Sequence, residues 1–347
     1  MFMGARSAST CNFLLCGLRG IEMNYLEYEN QIKLANFERE ECGMRPLPRM
    51  SVSFSGGRTS AVMTKRLWDE CRDTHHMPIL FCNTGQEDPR TLDFVKECQD
   101  HFGWPLVWLE AVIDPRKNKG VRHRVVNYET ACRDGSIFEA AVKKYGVFNQ
   151  TKKSCTTRLK EDVINSYLRS LGWKFGEKRD HQTAVGIRAD EIDRISDGAA
   201  ARYGIVYPMV KWGMTKRDVA IEIKTWPFDL QIPGDHYGNC VWCWKKSKRK
   251  HLTLALENPD VFAVPIYLEE TYGHLDAEAG RKNVAEDGRA YFFRKHQSAR
   301  EIIKEAHETD FEPYKDDPYH HAYDFDSDLD VGGACGDSCE AFADSAA

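Results

Sequence analysis

Val52-Ser53-Phe54-Ser55-Gly56-Gly57-Arg58-Thr59-Ser60-Ala61-Val62-Met63 decides how this chain is read. A β-prone apolar run, Met50 to Phe54, breaks at two adjacent glycines and passes through hydroxyl-bearing residues into a helix-like stretch. Strand, tight loop and helix N-terminus, in that order, present backbone N–H groups to an anion, a phosphate above all. Glycine serves such a loop twice, by letting the backbone approach a ligand closely and by tolerating positive φ. Ser55, Thr59 and Ser60 add hydroxyl groups. An ordinary strand-to-helix turn of an α/β protein carries much of the same pattern.

Working outward, the helix after the loop runs from about Ser60 to Cys71, with Ala61, Met63, Thr64 and Leu67 on one face. A second buried strand, Ile79 to Asn83, ends at Thr84-Gly85-Gln86-Glu87-Asp88-Pro89, where Asp88 suits a helix cap and Pro89 a first turn. Leu92, Phe94, Val95 and Phe102 then recur on a helical period, and Leu106 to Leu109 reads as a third strand. Strand and helix alternate as in a doubly wound parallel sheet, whose ligands bind at the carboxyl ends of the strands. From about Asp114 to Asp180 the pattern loosens into a basic, glycine-punctuated stretch, with a helix through Tyr167 and Leu171. Strand character returns at Thr183 to Ile187, and Thr215 is placed to cap a helix that closes the core.

The chain has 347 residues, a formal net charge of −5, 29% charged and 42% hydrophobic residues, which describes a globular protein able to bury a large core. No apolar run approaches the ~20 residues that span a bilayer, so a cytoplasmic protein without membrane partners is expected. Cys11 to Cys16 is too short and too poor in cleavage signals for a secretory segment, and Met23 reads as a more natural start than Met1 or Met3. The expected organisation is a leader and helix over 1–47 (helix Tyr25 to Glu41), a nucleotide-binding α/β domain over 48–235, a smaller helical part over 236–310, and an acidic tail over 311–347. Twelve cysteines are many, and their spacing is not that of a disulfide scaffold. Cys71, Cys82 and Cys98 read as small buried hydrophobes.

Several constellations carry chemistry. Asn83-Thr84-Gly85 ends the strand beside the phosphate loop, with Thr84 and Glu87 as polar groups for an adenine; a plain capped turn explains it almost as well. Gly186-Ile187-Arg188-Ala189-Asp190-Glu191 follows a buried strand, so Arg188 is placed to clamp an anionic oxygen and Asp190 or Glu191 to hold Mg²⁺. A surface ion-pair network is the alternative. Gly238-Asn239-Cys240-Val241-Trp242-Cys243 is a C-x-x-C knuckle that needs further ligands to bind a metal. Cys155 is the best third and Cys132 a fourth; Cys335, Cys339 and His236 are others. A redox dithiol is a further reading. The basic run Lys245 to His251 and the tryptophans Trp212, Trp242 and Trp244 suggest a nucleic-acid face, or else a solvated helix with core tryptophans.

The glycine loop resembles the PP-loop of the ATP pyrophosphatases, Ser-Gly-Gly-x-Asp-Ser, with Thr59 standing at the Asp position. The chain is most similar to the phosphoadenosine phosphosulfate (PAPS) reductase-like branch, including shorter bacteriophage forms, over roughly residues 48 to 260. The Gly-x-Arg segment, the Cys-Thr-x-x-Leu-Lys stretch at Cys155 and the C-x-x-C are elements that family carries. The resemblance implies an adenine nucleotide alpha hydrolase-like fold with a smaller cysteine-bearing, mainly helical C-terminal part. It implies ATP or PAPS bound by Ser53, Ser55, Gly56, Gly57, Arg58, Thr59, Ser60, Asn83, Thr84, Gly85, Gly186 and Arg188, with Arg188 and Thr59 as catalytic candidates. It also implies a [4Fe–4S] cluster on Cys155, Cys240 and Cys243, with Cys132 as a candidate fourth ligand and zinc as the alternative metal, and Mg²⁺ in an ATP-using version.

Three activities remain open: sulfur transfer or reduction on a sulfonucleotide, adenylation of a nucleic acid or small molecule with release of pyrophosphate, and a silent nucleotide-binding regulator. Thr59 in place of Asp speaks for the last; the retained cysteines speak against it. The tail's Cys335-Gly336 only faintly matches the family's Glu-Cys-Gly-x-His. A nucleic acid or a thiol carrier is the expected macromolecular partner, with a homodimer as one oligomeric state.

Overall fold

A computed structural model of the chain describes residues 24–195, 197–315 and 341–342. The apolar runs assemble one six-stranded sheet among them: β1 Arg49–Ser53, β2 Ile79–Asn83, β3 Leu106–Ile113, β4 Val121–Val126, β5 His181–Ala184 and β6 Ile205–Val206, in the order β4-β3-β2-β1-β5-β6. All neighbours run parallel except β3 and β4, which are antiparallel with Glu110 opposite Arg124. The chain grows from β1 through β2 and β3 on one side, then returns to the other side of β1 for β5. Val52 accordingly faces Ile79 on one flank and Ala184 on the other. Loops leaving β1 and β5 diverge at such a reversal of order and open a crevice at the carboxyl edge.

Strand alternation sorts the core into two layers. Val52, Phe54, Ile79, Phe81 and Trp108 face one side, covered by α1 (Tyr25–Glu41), α2 (Arg58–Cys71) and α3 (Pro89–Phe102). Leu80, Cys82, Val107 and Leu109 face the other, under α4 (Ser136–Tyr145) and α5 (Asp162–Ser170). After α5 come α6 (Asp197–Tyr203), α7 (Pro208–Lys211) and α8 (Lys216–Ile223); α8 joins the first layer through Val219 and Ile223. The later helices α9 (Lys248–Glu257), α10 (Ala263–Tyr272), α11 (Leu275–Glu278) and α12 (Ala299–Glu308) belong to the second side, whose core takes Leu252, Leu268 and Ile302. Phe54 anchors the loop that follows it, its ring packed edge-on against Trp104 with centroids 5.5 Å apart. Burial of one such ring contributes about 2–3 kcal/mol.

The helix over Tyr25 to Glu41 forms as expected, capped by Asn24, and it is tied into the body of the protein. The Tyr28 hydroxyl accepts from the Met77 N–H at 2.7 Å, and Glu29 pairs with His76 at 2.9 Å. Asp88 caps α3 with Pro89 at its first turn, and Thr215 caps α8. Three features differ from expectation. The loosened region contains β4 and α4, β5 begins two residues earlier than read, and the sheet carries an antiparallel edge. The basic run is no open face: Lys245 and Lys246 are buried, Ser247 caps α9, and Lys248 pairs with Glu305 at 2.5 Å. Trp242 and Trp244 are core residues, while Trp212 lies under the Arg66 guanidinium. No helix among the described residues is long and apolar enough to cross a membrane.

Candidate functional site

The crevice at the reversal of strand order holds a pocket of about 330 Å³. Its polar end is made by Ser55, Gly56, Gly57, Arg58 and Thr59 from the β1 loop, by Arg188 from beyond β5, and by Lys216 at the start of α8. Its apolar wall includes Val219, Ala220 and Ile223 of α8 together with Leu230 and Ile232.

The loop conformation follows from its glycines. Gly56 has φ +84°, and a Cβ there would lie 3.0 Å from the methyls of Thr91 and Val95 and 3.2 Å from the Phe81 ring. Gly57 is the N-cap of α2, and no side chain caps the helix there. The first-turn N–H groups of a 14-residue helix therefore point toward the pocket with the positive end of the helix dipole behind them. The Ser55 and Ser60 hydroxyls, 2.8 Å apart, engage each other, and Ser60 also donates to the Gly57 carbonyl at 3.1 Å. They brace the loop. Ser53 is buried at the end of β1.

Arg188 crosses the crevice. Its Nη1 donates to the Thr59 hydroxyl at 3.2 Å, and its Nε to Asp190 at 2.9 Å. The other Asp190 oxygen accepts the Lys216 backbone N–H at 3.0 Å, so a single carboxylate ties Arg188 to the start of α8. Thr59 thus orients the guanidinium from the loop side. The Arg58 side chain runs along the pocket wall to Asp229, at 2.7 and 3.1 Å, and to the Leu230 carbonyl at 2.6 Å. Lys216 reaches Asp235 at 2.8 Å. Together these pairs hold the segment 229–235 across the pocket. Lys216, Asp229 and Asp235 escaped the sequence reading, since they lie far along the chain from the loop; Thr215, read as a cap, was the nearest signal.

Asn83, Thr84 and Gly85 are not among the residues lining this pocket. Asn83 is fully buried and donates to Glu110 at 2.6 Å and to the Cys132 carbonyl at 2.8 Å. Glu87 accepts from both the Thr84 N–H and hydroxyl, at 3.0 and 2.8 Å, closing the turn on itself. Gly85 has φ +78°, and a Cβ there would meet the Cys132 sulfur at 2.8 Å. Gly186 follows β5 and does not line the pocket either.

The expected metal set does not gather. Among the described residues, no group of three or more His, Cys, Asp or Glu side chains is placed to hold a metal ion. Cys132 directs its thiol to Asp134 at 3.0 Å, and Cys240 lies 3.3 Å from the Thr84 hydroxyl. Cys155 precedes a single π turn, Thr157–Glu161, on another element. Cys243 is buried and donates its N–H to the Cys240 carbonyl at 2.9 Å, so the C-x-x-C is a hydrogen-bonded turn. His236 pairs with Glu257 at 2.7 Å. The described cysteines therefore do not fit a cluster or a zinc ion as a set; Cys335 and Cys339 lie outside the described residues.

Comparison with known proteins agrees with this architecture. Residues 49–219 match the phosphoadenosine phosphosulfate reductase domain, a span that runs from β1 to the middle of α8 and includes the loop, Arg188 and Lys216. An uncharacterised nin region protein of Escherichia phage lambda is 32% identical over 294 residues, covering 84% of this chain and 94% of the phage protein. The adenine nucleotide that such a domain implies suits the uncapped helix end, the glycine loop and the two cations facing it. With the phage likeness extending along nearly its whole relative, the chain belongs to the PAPS reductase-like family of the PP-loop superfamily.

Proposed function

We propose that the pocket binds an adenine nucleotide, ATP or a sulfonucleotide such as PAPS, and that the protein is a PAPS reductase-like enzyme of sulfur transfer or reduction. One observation carries this reading. The uncapped start of α2 and the Arg188 guanidinium, delivered by strands on opposite sides of the order reversal, face the same pocket. First-turn N–H groups of α2 would hold phosphate oxygens, and Arg188 and Lys216 would neutralise charge that develops on them. Thr59 and Asp190 fix the Arg188 fork, so little reorganisation is needed when charge shifts. Val219, Ala220 and Ile223 would cover the nucleoside and exclude water.

Among the described residues, no cysteine lines the pocket. That favours a second reading beside the first: an ATP pyrophosphatase that adenylates its substrate and needs no thiol at the phosphate. In the reductive version two electrons must come from a thiol carrier or from cysteines outside the described residues. Calorimetric titration with ATP and with PAPS tests the common claim, and affinity for neither overturns it. Sulfite release with a dithiol then separates reduction from adenylation, which yields AMP and pyrophosphate.

A further inference from the structure

Among the described residues, the β3–β4 ribbon is a strongly cationic segment that the nucleotide pocket does not use. β2 ends at Asn83 opposite Glu110, yet β3 runs on to Ile113, paired there only with β4. A two-stranded ribbon therefore runs on past the carboxyl edge of the sheet, the edge at which the pocket opens, backed on one face by α4 and α5, where Ala111 and Val121 are buried. Between Asp114 and Val126 it carries Arg116, Lys117, Lys119 and Arg122 against Asp114 alone, in a chain whose net charge is −5, while Arg124 pairs with the buried Glu110 of β3 at 2.6 Å. Asp114 pairs with Arg116 at 2.6 Å and lies 3.8 Å from Arg122; these two arginines remain 69% and 72% exposed. Lys117 and Lys119 are exposed on the loop. The tip is also held in place: Lys144 of α4 donates to the Asp114 carbonyl at 2.6 Å and to that of Lys119, and Asn118 takes a left-handed φ of 62°.

We propose that this ribbon docks the phosphodiester backbone of a nucleic acid, and that the substrate presented to the pocket is a nucleic acid. The substrate assignment rests on the nucleotide reading of the pocket; the docking does not. The fixed, cationic tip and open face of the ribbon can follow the phosphates that line the ~12 Å major groove of a B-form duplex. A lipid surface would need an apolar face, and along the ribbon's far end only Val112 is a large exposed hydrophobe. β4 lies three strand intervals from β1, about 14 Å at ~4.8 Å each, or roughly four base steps of duplex. One polyanion can thus lie on the ribbon and reach the pocket.

The test is fluorescence anisotropy of the full chain with labelled duplex DNA, single-stranded DNA and single-stranded RNA, at low and moderate salt. Wild type should bind at least one of them at low salt. Lys117→Glu/Lys119→Glu/Arg122→Glu should weaken binding by about 30-fold or more and lower the salt slope by about 2–3, near 0.9 for each lost phosphate contact. A charge-matched control, Lys33→Glu/Arg300→Glu/Lys304→Glu, should bind within a few-fold of wild type. Should the first triple variant melt early, Lys117→Ala/Lys119→Ala/Arg122→Gln replaces it. Preference for duplex assigns the ribbon to a groove and preference for single strands assigns it to a backbone track; either supports docking. No wild-type binding, equal binding by variant and control, or equal competition by polyglutamate overturns it. ATP and PAPS titrations of the triple variant should match wild type, so a failed nucleotide reading shows itself separately.

Discussion

Two turns leave the carboxyl ends of adjacent strands, and they use their polar groups in opposite ways. After β1, Gly56 and Gly57 bring the chain into α2 with no side chain over the helix end, and Arg188 and Lys216 face the opening. After β2, Thr84 bonds to Glu87, and Asn83 bonds to Glu110 and to the Cys132 carbonyl. The first turn keeps donors for a guest. The second spends them on its own folding. Both read from sequence as polar turns suited to a nucleotide, so residue type alone did not separate them. What separates them is whether the surrounding structure already satisfies each group.

The largest effect expected on this contrast comes from the glycines. Gly56→Val forces a β-branched residue into φ +84° and against Thr91, Val95 and Phe81, so both binding and melting temperature should fall. Gly57→Val is the cleaner experiment, because φ −95° at that residue suits any side chain. Thermal melting should stay near wild type while affinity for ATP and PAPS drops by about 100-fold, the scale of two lost charge-assisted hydrogen bonds. Unchanged affinity in a folded Gly57→Val protein would make the β1 turn as self-contained as the β2 turn.

Arg188→Ala comes next. It removes the buried cation that Thr59 and Asp190 aim at the pocket. One charged hydrogen-bonding group is worth about 1.5–3 kcal/mol, so nucleotide affinity should weaken by about 10- to 100-fold. Arg188→Lys should recover little, since an ammonium cannot reproduce the fork. Full rescue by lysine would show that charge alone, not the held geometry, is what the pocket requires.

The legible parts of this protein are those whose causes lie within one short window. Residues 52–63 contain their strand, glycines and helix start together, and Asp88-Pro89 and Thr215 announce helix starts within a few residues. Arg58 with Asp229 and Thr59 with Arg188 are different, separated by 171 and 129 residues. No local pattern shows that the Arg58 side chain is held by a carboxylate. β4 was hidden because the exposed Arg122 and Arg124 flank His123, leaving only Val121, Val125 and Val126 as apolar residues of this edge strand. The C-x-x-C spacing was plain, but the spacing of two thiols says nothing about where Cys132 and Cys155 are carried.

A smaller change should sharpen the picture of the β1 pocket. Asp229 holds Arg58 through two contacts and sits in the pocket wall, where its charge opposes an incoming phosphate. Asp229→Asn keeps the shape, removes that charge and loosens Arg58. The pair is partly solvent-exposed, so the gain is limited to about 0.5–1 kcal/mol. Nucleotide affinity should rise by about two- to five-fold at low salt and less at high salt. A loss of affinity would mean that the strap held by this pair forms part of the binding surface.

The smallest expected effect lies on the C-x-x-C segment that packs against the other turn. Cys240 is buried beside the Thr84 hydroxyl, and no third ligand gathers with it among the described residues. Serine can take over the contact with Thr84, though it is shorter and more polar than a thiol and should cost about 1 kcal/mol at a buried site. Cys240→Ser should therefore leave nucleotide affinity within about two-fold of wild type. Iron and zinc content, measured after anaerobic purification, should be the same in both proteins. A stoichiometric loss of metal in the variant would reverse the comparison: the segment packed on the β2 turn would then serve a guest as well, with the ligands beside Cys240 completed from outside the described residues.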